Sequence, residues 1–549
     1  MKILKWLDQN IITLVTAILI VAIPLYPKLP VADLIEGYIV RLRAEDLFVA
    51  LAAIIYFVQL VRGKLKFPQG IVPKLIFGYI VVGFLSSLSA IFITKTVPFE
   101  QHHIFKLLLH YGRRIEYFSL FFIAYAGIRT KKDLKLFIIT ALIAVIGVTL
   151  YGFGQKYLYW PAFSTMNREF SKGTRLYLSP TSRVMSTFAG HYDYAAYLMM
   201  ALLVIIPAMW LTAKKWLKAI LGILFFFAYW MLILTASRTS WLGYMAGLTV
   251  LAAMFIKIKG FWWSLGRYLF LSFVSLIMLF TMGDLSARFL QLLNNPQAIA
   301  SALGMESGQV EQALFKIKDF GYKLEDLKKG NLFKKEPPKG AIADSEVGQV
   351  ATPSDQPPST TPPGERPPDV TKEEQDIRDK IASESGNIAT PSATTGGGYS
   401  ANALKYGLSA AIRLDVLWPR AIAGFQKNPL LGSGYSTLVK AENEEFTQAE
   451  STDNDYLRML GETGILGAFF FLAIPFYLMY LGFTNYLKTT SLTHQVIYLG
   501  IVGAVVGLLI NATYIDVFES SKVAYTFWIL AAVVIRALEL SERKKNEVK

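Results

Sequence analysis

The chain contains no cysteine and is short of charge, with only 17% of its 549 residues being Asp, Glu, Lys or Arg. The missing cysteines exclude disulfide bonds, thiolate catalysis and Cys-ligated metal sites. Because soluble domains are about one quarter charged, the low charge excludes both an ordinary cytosolic enzyme and a disordered protein. Apolar residues take the place of charge: 53% of the chain is hydrophobic and the mean hydropathy is +0.40. This composition predicts a membrane protein.

Apolar runs of about 17 to 25 residues, each long enough to cross a bilayer, recur roughly twelve times along the chain. The sequence therefore predicts an all-α fold, a polytopic membrane helix bundle with transmembrane helices 1–9 in residues 1–283 and helices 10–12 in residues 456–549. The predicted spans lie near residues 11–26, 46–61, 71–93, 104–128, 136–154, 192–211, 219–235, 241–256, 268–282, 456–483, 496–514 and 523–540.

Every second loop is basic, and lysine and arginine collect in cytoplasmic loops during membrane insertion. This alternation accounts for most of the net charge of +15, so no nucleic-acid partner is expected. It predicts a multi-pass protein of the cytoplasmic membrane with both termini inside. The basic loops hold Lys2 and Lys5; Arg62, Lys64 and Lys66; Arg129, Lys131, Lys132 and Lys135; Lys214, Lys215 and Lys218; Lys257, Lys259 and Arg267; Lys488; and Arg543, Lys544, Lys545 and Lys549.

A long loop between the ninth and tenth spans is predicted to be extracytoplasmic. Residues 284–335 have apolar positions at spacings of three and four, which predicts amphipathic helices. Residues 336–400 contain ten of the chain's 23 prolines and a Gly-Gly-Gly run, which is typical of a disordered insert. Helical periodicity returns in residues 401–455, which we expect to carry the active-site part of the loop.

Arg238 lies in TASRTSWLG, at the outer mouth of a hairpin between two apolar spans. A charge at this depth is costly, so the residue is a candidate for function. The alternative is an interfacial arginine that reaches toward lipid phosphate beside Trp241.

A second cluster, RLDVLWPRAIAGFQKNPLLGSGYST, begins at Arg413 and includes Trp418. A planar guanidinium suits a diphosphate because it donates paired hydrogen bonds to phosphate oxygens. The glycine-rich NPLLGSG loop has bare amides that could approach an anion. Alternatively, Arg413 pairs with Asp415 or downstream glutamates, and the glycines only form a turn.

The third cluster, ESTDNDYLRMLGETGILG, opens the tenth span. The carboxylate of Asp453 could accept a proton from a hydroxyl nucleophile. Asp453 and Asn454 are equally good N-cap residues, and a cap role would weaken the carboxylate as a base. Gly464 and Gly467 would let a neighbouring helix approach closely.

Two polar groups give weaker signals. Arg183 and His191 precede the sixth span and face the same compartment as the three clusters. Arg113, Arg114 and Glu116 lie in the fourth span, where we expect a salt-bridge group rather than a site.

The order of these motifs resembles the O-antigen ligase and O-antigen polymerase superfamily of bacterial membrane glycosyltransferases. SRTSWLG comes first, then a long outer loop ending in RxxxxW and NPLLGSG, then DNDYLRMLGETGILG at the start of the next span. The resemblance implies transfer of a glycan from an undecaprenyl-diphosphate carrier to a hydroxyl acceptor, without a metal or another cofactor. It also implies that Arg238 and Arg413 hold the lipid diphosphate. The family places a histidine where this chain has Asp453.

Our hypothesis is an inverting transfer with Asp453 as the general base, since a carboxylate does this work in inverting glycosidases. Glu450 and His191 are the fallback bases. The resemblance implies a hydroxyl of a glycan, a lipid or a protein as the acceptor, and a reaction at the outer face of the bilayer. The candidate site residues are Asp453, Asn454 and Glu450 for catalysis, Arg238 and Arg413 for diphosphate binding, and Arg183, His191, Trp418 and Tyr456 for lining the substrate site.

Three other functions compete with a ligase. A polysaccharide polymerase and a protein O-oligosaccharyltransferase would use the same motifs. A transporter or flippase of lipid-linked glycans would also need about twelve spans, but such proteins often carry paired broken helices at the midplane. The polar residues of this chain cluster at one face, which favours an enzyme.

Overall fold

The computed structural model describes residues 2–35, 38, 40–165, 168–179, 182–281, 350–351, 412–438 and 451–548. Long α-helices dominate these residues. In chain order the helices are α1 Lys2–Leu25, α2 Ala44–Val61, α3 Ile71–Phe92, α4 Gln101–Gly127, α5 Lys131–Leu158, the one-turn α6 Arg168–Ser171, α7 His191–Leu211, α8 Lys215–Leu234, α9 Arg238–Lys259, α10 Phe261–Thr281, a π-helix Ile412–Leu417, α11 Trp418–Lys427, α12 Asp455–Asn485, α13 Leu492–Asn511 and α14 Ser521–Val548.

The predicted membrane bundle is confirmed. Among the described helices, eleven are long and apolar enough to cross a membrane. A twelfth long helix, α4, matches the predicted fourth span but carries the charged residues Arg113, Arg114 and Glu116. Every predicted span corresponds to one long helix, and most of these helices run a few residues further than predicted.

Small residues set how closely the central helices pack. Helix α9 lies against α13, and a Cβ added at Gly243 would sit 2.6 Å from the Gly507 carbonyl oxygen. At Gly247 it would lie 2.8 Å from the Gly503 carbonyl oxygen. Backbone contact of this kind replaces the hydrophobic driving force that helices lack inside lipid. It fixes the position of the C-terminal end of α13, which borders the candidate site.

The predicted cytoplasmic ends of the helices meet at one end of the bundle. Asp8 of α1 forms a salt bridge with Arg62 at 2.7 Å, and Arg129 donates to the carbonyl oxygen of Gln9. Arg536 of α14 donates from Nε to the carbonyl oxygen of Ile128 at 2.7 Å. The start of α1 and the C-terminal part of α14 therefore lie at the same end of the bundle.

Within the described ranges, four short strands form two small antiparallel pairs. β1 Pro30–Ala32 pairs with β2 Leu42–Arg43, and β3 Tyr177–Leu178 pairs with β4 Val350–Ala351. Apart from β4, the insert predicted at residues 336–400 lies outside the described residues, as do residues 284–335.

Candidate active site

Asn454, not Asp453, caps helix α12. The Asn454 Oδ1 accepts a hydrogen bond from the Leu457 amide at 2.9 Å, and its Nδ2 donates to the Thr513 carbonyl oxygen at 3.0 Å. Asp453 precedes the cap with a left-handed backbone, φ +50°. Aspartate tolerates this region better than most residues. Asn454 therefore takes the cap role, and the Asp453 carboxylate does not cap the helix.

The Asp453 carboxylate pairs with the guanidinium of Arg413. Asp453 Oδ2 lies 2.8 Å from Arg413 Nη2, and Asp453 Oδ1 accepts a hydrogen bond from Ser451 Oγ at 2.8 Å. Arg413 is 7% exposed in its side chain, whereas Asp453 is 33% exposed. Two residues that the sequence selected from different motifs thus meet in one ion pair, and the carboxylate is the partner open to an incoming molecule.

The guanidinium of Arg413 packs on an aromatic ring. Arg413 lies in the π-helix Ile412–Leu417, a distortion that often marks functional sites. Its Cζ lies 4.0 Å from the centroid of the Tyr514 ring, which is a close cation–π contact. Tyr514 follows the end of α13, so the guanidinium is fixed by two elements far apart in the chain.

Asp516 holds the segment that carries Asp453. Its Oδ1 accepts from the Asn454 amide at 2.8 Å, and its Oδ2 accepts from the Thr452 amide at 3.0 Å. Arg458 donates to the same carboxylate at 2.9 Å. Burial raises the pKa of Asp516, but Arg458 and the two amides more than offset this and leave the pKa below its ordinary value. The carboxylate is therefore an anion at neutral pH.

Asp516→Asn should destabilise the fold by about 3 kcal/mol, because it removes one partner of a buried ion pair. Since folding lowers the pKa of Asp516, its contribution is fully present above the ordinary aspartate pKa of about 3.9 and is lost as the pH falls through the folded value. The variant and the natural protein should thus differ at pH 7 and converge in acid. Thermal unfolding of the detergent-solubilised chain across this pH range measures the difference.

The matched control is Asp33→Asn. Asp33 also pairs with an arginine, Arg41, but its side chain is 40% exposed. Exposed pairs contribute at most about 1 kcal/mol. Equal losses for the two variants would contradict the anchoring role of Asp516.

The glycine-rich NPLLGSG loop packs against a break in α12. Gly464 has φ +65° and ψ −167°, which interrupts the helix and exposes backbone carbonyls. The Ser433 amide donates to the Gly461 carbonyl at 2.8 Å, and the Gly434 amide donates to the Glu462 carbonyl at 3.0 Å. Gly464 therefore admits a loop rather than a neighbouring helix.

The prediction that the amides of this loop bind an anion is wrong. Besides Ser433 and Gly434, the Gly432 amide donates to the Asn428 carbonyl at 2.6 Å. The Leu430 and Leu431 amides donate to Asn428 Oδ1. Two of these amides thus pair with carbonyl oxygens of the interrupted helix, and the other three pair with Asn428.

Gly464→Ala should destabilise the protein by about 3 kcal/mol or more, through backbone strain and overpacking. The backbone conformation of Gly464 is almost restricted to glycine, and an added Cβ would overlap the Leu430 carbonyl group and lie 2.6 Å from the Leu431 nitrogen. Thermal unfolding measures the loss. Gly266→Ala in α10 is the control, since a Cβ there meets nothing within 4 Å, and a variant at Gly464 that unfolds like this control would refute the close docking.

A chain of buried ion pairs continues from Asp516 into the bundle. Arg458 Nε donates to Glu462 at 3.2 Å, and Arg114 Nη2 contacts the other oxygen of Glu462 at 3.2 Å. Arg114 also pairs with Glu519. The expected salt bridges of the fourth span are therefore present, but they connect α4 to the site rather than stand apart from it.

Most of this ion-pair chain borders a cavity of about 540 Å³, although Glu462 does not line it. Asp453, Arg458, Asp516 and Glu519 lie on its wall, together with Arg114. The sequence reasoning missed Asp516, Glu519 and Arg458 as site residues. The signal available for the first two was an acidic loop, residues 514–522, at the same end of the bundle as the long outer loop.

Arg238 is the first residue of α9 and is half-buried. It is not among the residues that line the cavity. Its turn is joined to the site region through α13, because Asn511 Nδ2 donates to Ser240 Oγ at 2.9 Å. The structure thus places Arg238 on a helix that packs beside α13, the helix that leads to Tyr514.

The remaining predicted residues lie in several different places. Arg183 Nη1 contacts His191 Nε2 at 2.7 Å, and His191 is 1% exposed, so it is not accessible to an acceptor. The Tyr456 hydroxyl donates to the Leu509 carbonyl at 2.7 Å. Trp418 opens α11. Glu450 lies outside the described residues.

Residues 399–472 match the family model described as O-antigen ligase. The matched segment is similar to the O-antigen ligase family over 74 of the 549 residues. No curated protein matches the chain. The match confirms the resemblance to the O-antigen ligase and polymerase superfamily and supports a membrane glycosyltransferase-like role.

The matched segment contains most of the ion-pair site. It includes Arg413, Asp453, the glycine-rich loop and the N-terminal half of α12. Tyr514 and Asp516, which hold Arg413 and Asp453 in place, lie beyond it, as does Arg238. The site is therefore completed by helix ends from outside the matched segment.

Proposed function

We propose that this chain transfers a glycan from an undecaprenyl-diphosphate carrier to a hydroxyl acceptor at the outer face of the cytoplasmic membrane, in the manner of an O-antigen ligase. The observation that carries the proposal is the Asp453–Arg413 ion pair at the edge of a cavity. A base and a diphosphate-binding cation must be neighbours in such a reaction, because bond formation and departure of the diphosphate occur at one carbon.

Asp453 is the proposed general base. It takes the proton from the acceptor hydroxyl as the hydroxyl oxygen attacks the anomeric carbon of the donor sugar. The new bond joins that oxygen to the carbon, and the bond from the carbon to the diphosphate oxygen breaks with its electron pair. Attack opposite the leaving group inverts the anomeric configuration. The products are the glycosylated acceptor, protonated Asp453 and the carrier diphosphate.

Arg413 is proposed to stabilise the charge on the leaving diphosphate, with Arg238 as the second arginine. A guanidinium already oriented by Tyr514 needs little reorganisation when that charge develops. A diphosphate oxygen would compete with Asp453 for Arg413 Nη2. Donor binding would then release the carboxylate as a base at the moment when an acceptor can be used.

Reconstitution of the full chain in liposomes tests this function. Purified undecaprenyl-diphosphate-linked glycan is supplied with a lipid A core, a second lipid-linked glycan or a serine-containing peptide as acceptor. We expect a new glycosidic bond to one of these acceptors and release of undecaprenyl diphosphate. Mass spectrometry detects both products. A single addition identifies a ligase, and a length ladder on the carrier identifies a polymerase. Movement of the donor between leaflets without a new bond would instead support a flippase.

A further inference from the structure

The cavity beside Asp453 has a wall that is rich in charge but close to neutral. Among the described residues that line it, five are cationic and six are carboxylates. Many of these are already paired, as Arg113 is with Asp46 at 2.6 Å and with Glu116 at 3.1 Å. A site for a phosphate or another strong anion would show a clear excess of cations. The lining therefore argues against a second anion site.

Two buried donors on this wall, Arg43 Nε and Arg114 Nε, are unsatisfied within the described part of the chain. Arg43, at the start of α2, is 8% exposed, and its Nε has no hydrogen-bond partner there. A buried donor without a partner is costly and calls for a ligand atom or an ordered water. The carboxylates of Asp453 and Glu519, which also line the cavity, can accept hydrogen bonds. The wall thus offers both donors and acceptors.

Tyrosine rings complete the lining. Tyr38, Tyr117 and Tyr192 all border the cavity, and the Tyr38 hydroxyl is held by His110 Nε2 at 2.8 Å. A sugar ring has hydroxyls that donate to carboxylates and accept from guanidinium groups, and apolar faces that pack on aromatic rings. The volume of about 540 Å³ lies within the usual range for a site holding a small molecule.

We infer that this cavity binds an uncharged sugar ring of the acceptor, with Arg43 and the tyrosines as its contacts and Asp453 at the reacting hydroxyl. The assignment to the acceptor rests on the proposed function. Asp453 lines the cavity, whereas Arg413, which is 2.8 Å from it, does not. The acceptor hydroxyl would therefore reach the base from the cavity, and the donor diphosphate would lie on the other side of the carboxylate.

Gly112 allows the cavity to be filled without disturbing the fold. It lies on the cavity wall within α4, and a Cβ there meets nothing within 4 Å. Gly112→Trp should raise KM for the acceptor about tenfold or more, because losing one good hydrogen bond or its equivalent in packing contacts has this effect. KM for the donor should not change. Gly266→Trp, at an equally open glycine in α10, should change neither value. An unchanged acceptor KM in Gly112→Trp would overturn the inference.

A labelling experiment separates this inference from the proposed function, because it requires no transfer. The natural chain has no cysteine, so Gly112→Cys introduces a single thiol that a neutral maleimide can modify. Neutral disaccharides of hexoses, N-acetylhexosamines and heptoses are compared with uronic-acid disaccharides and inorganic diphosphate. We expect a neutral disaccharide to slow labelling about tenfold at ten times its Kd, from simple occupancy.

Each outcome is decisive for the cavity. Stronger protection by uronate disaccharides or by diphosphate would identify an anion site and overturn the inference, as would the absence of protection by every neutral sugar. Protection by a neutral sugar in a chain that transfers no glycan would uphold the sugar site and refute the proposed function alone.

Discussion

Asp453→Asn should lower the rate of glycan transfer by about 10²- to 10⁴-fold, the usual contribution of a general base. The amide has the shape of the carboxylate and can still accept the hydrogen bond that Ser451 Oγ donates at 2.8 Å. It cannot take a proton from the acceptor. Because Asn454, and not Asp453, caps α12, the helix start should survive the substitution. Initial rates in the liposome assay measure the loss, and thermal unfolding confirms the fold.

Asp453→His gives this prediction a second test. The resemblance to the superfamily implies a histidine at this position, so the variant should retain transfer. A histidine base is lost below its pKa of about 6.5, whereas a carboxylate still works well below that value. The acid limb of the pH–rate profile should therefore move to higher pH. Full activity in Asp453→Asn, or an unchanged acid limb in an active Asp453→His, would contradict the role of Asp453 as base.

The long helices could be predicted from sequence because each is specified by a local property, an apolar run of sufficient length. Even α4 was placed correctly, although it carries Arg113, Arg114 and Glu116. The choice between Asp453 and Asn454 as the N-cap could not be made, since both side chains suit the position. It is decided by the backbone turn at Asp453, which depends on the amide contacts to Asp516, 62 residues further along the chain from Asn454.

The errors concern contacts between distant segments. From the sequence, the amides of the NPLLGSG loop are expected to have no backbone partners. The break at Gly464 supplies carbonyl oxygens to two of them, but its only sequence signal is a glycine in an apolar helix. Arg413 and Asp453 were chosen separately for their chemistry, and their pairing became visible only when the helix ends were placed. The local sequence pattern was enough to identify the chemical groups. The contacts that orient these groups join distant segments and could be seen only in the folded structure.

Arg413→Gln should weaken binding of undecaprenyl diphosphate about 10- to 100-fold, since hydrogen bonds to charged groups contribute roughly 1.5 to 3 kcal/mol. Arg413→Lys should recover only part of the affinity, because an ammonium lacks the planar fork of a guanidinium and cannot stack on the Tyr514 ring. The centroid of that ring lies 4.0 Å from Arg413 Cζ. Competition binding with the diphosphate and the monophosphate of the same lipid measures the effect. Loss of the arginine should remove most of the preference for the diphosphate.

Arg238→Gln decides whether both arginines hold the same group. Arg238 lies on α9 and does not line the cavity, so its variant should leave the Asp453–Arg413 pair intact. If Arg238 also binds the diphosphate, Arg238→Gln must lower the preference for the diphosphate over the monophosphate, as Arg413→Gln does. The losses of binding free energy in the two single variants should then not add in the double variant. Distant residues without a shared partner add within about 0.5 kcal/mol. Strict additivity with an unchanged preference would leave Arg413 as the diphosphate ligand and reduce Arg238 to an interfacial arginine beside Trp241.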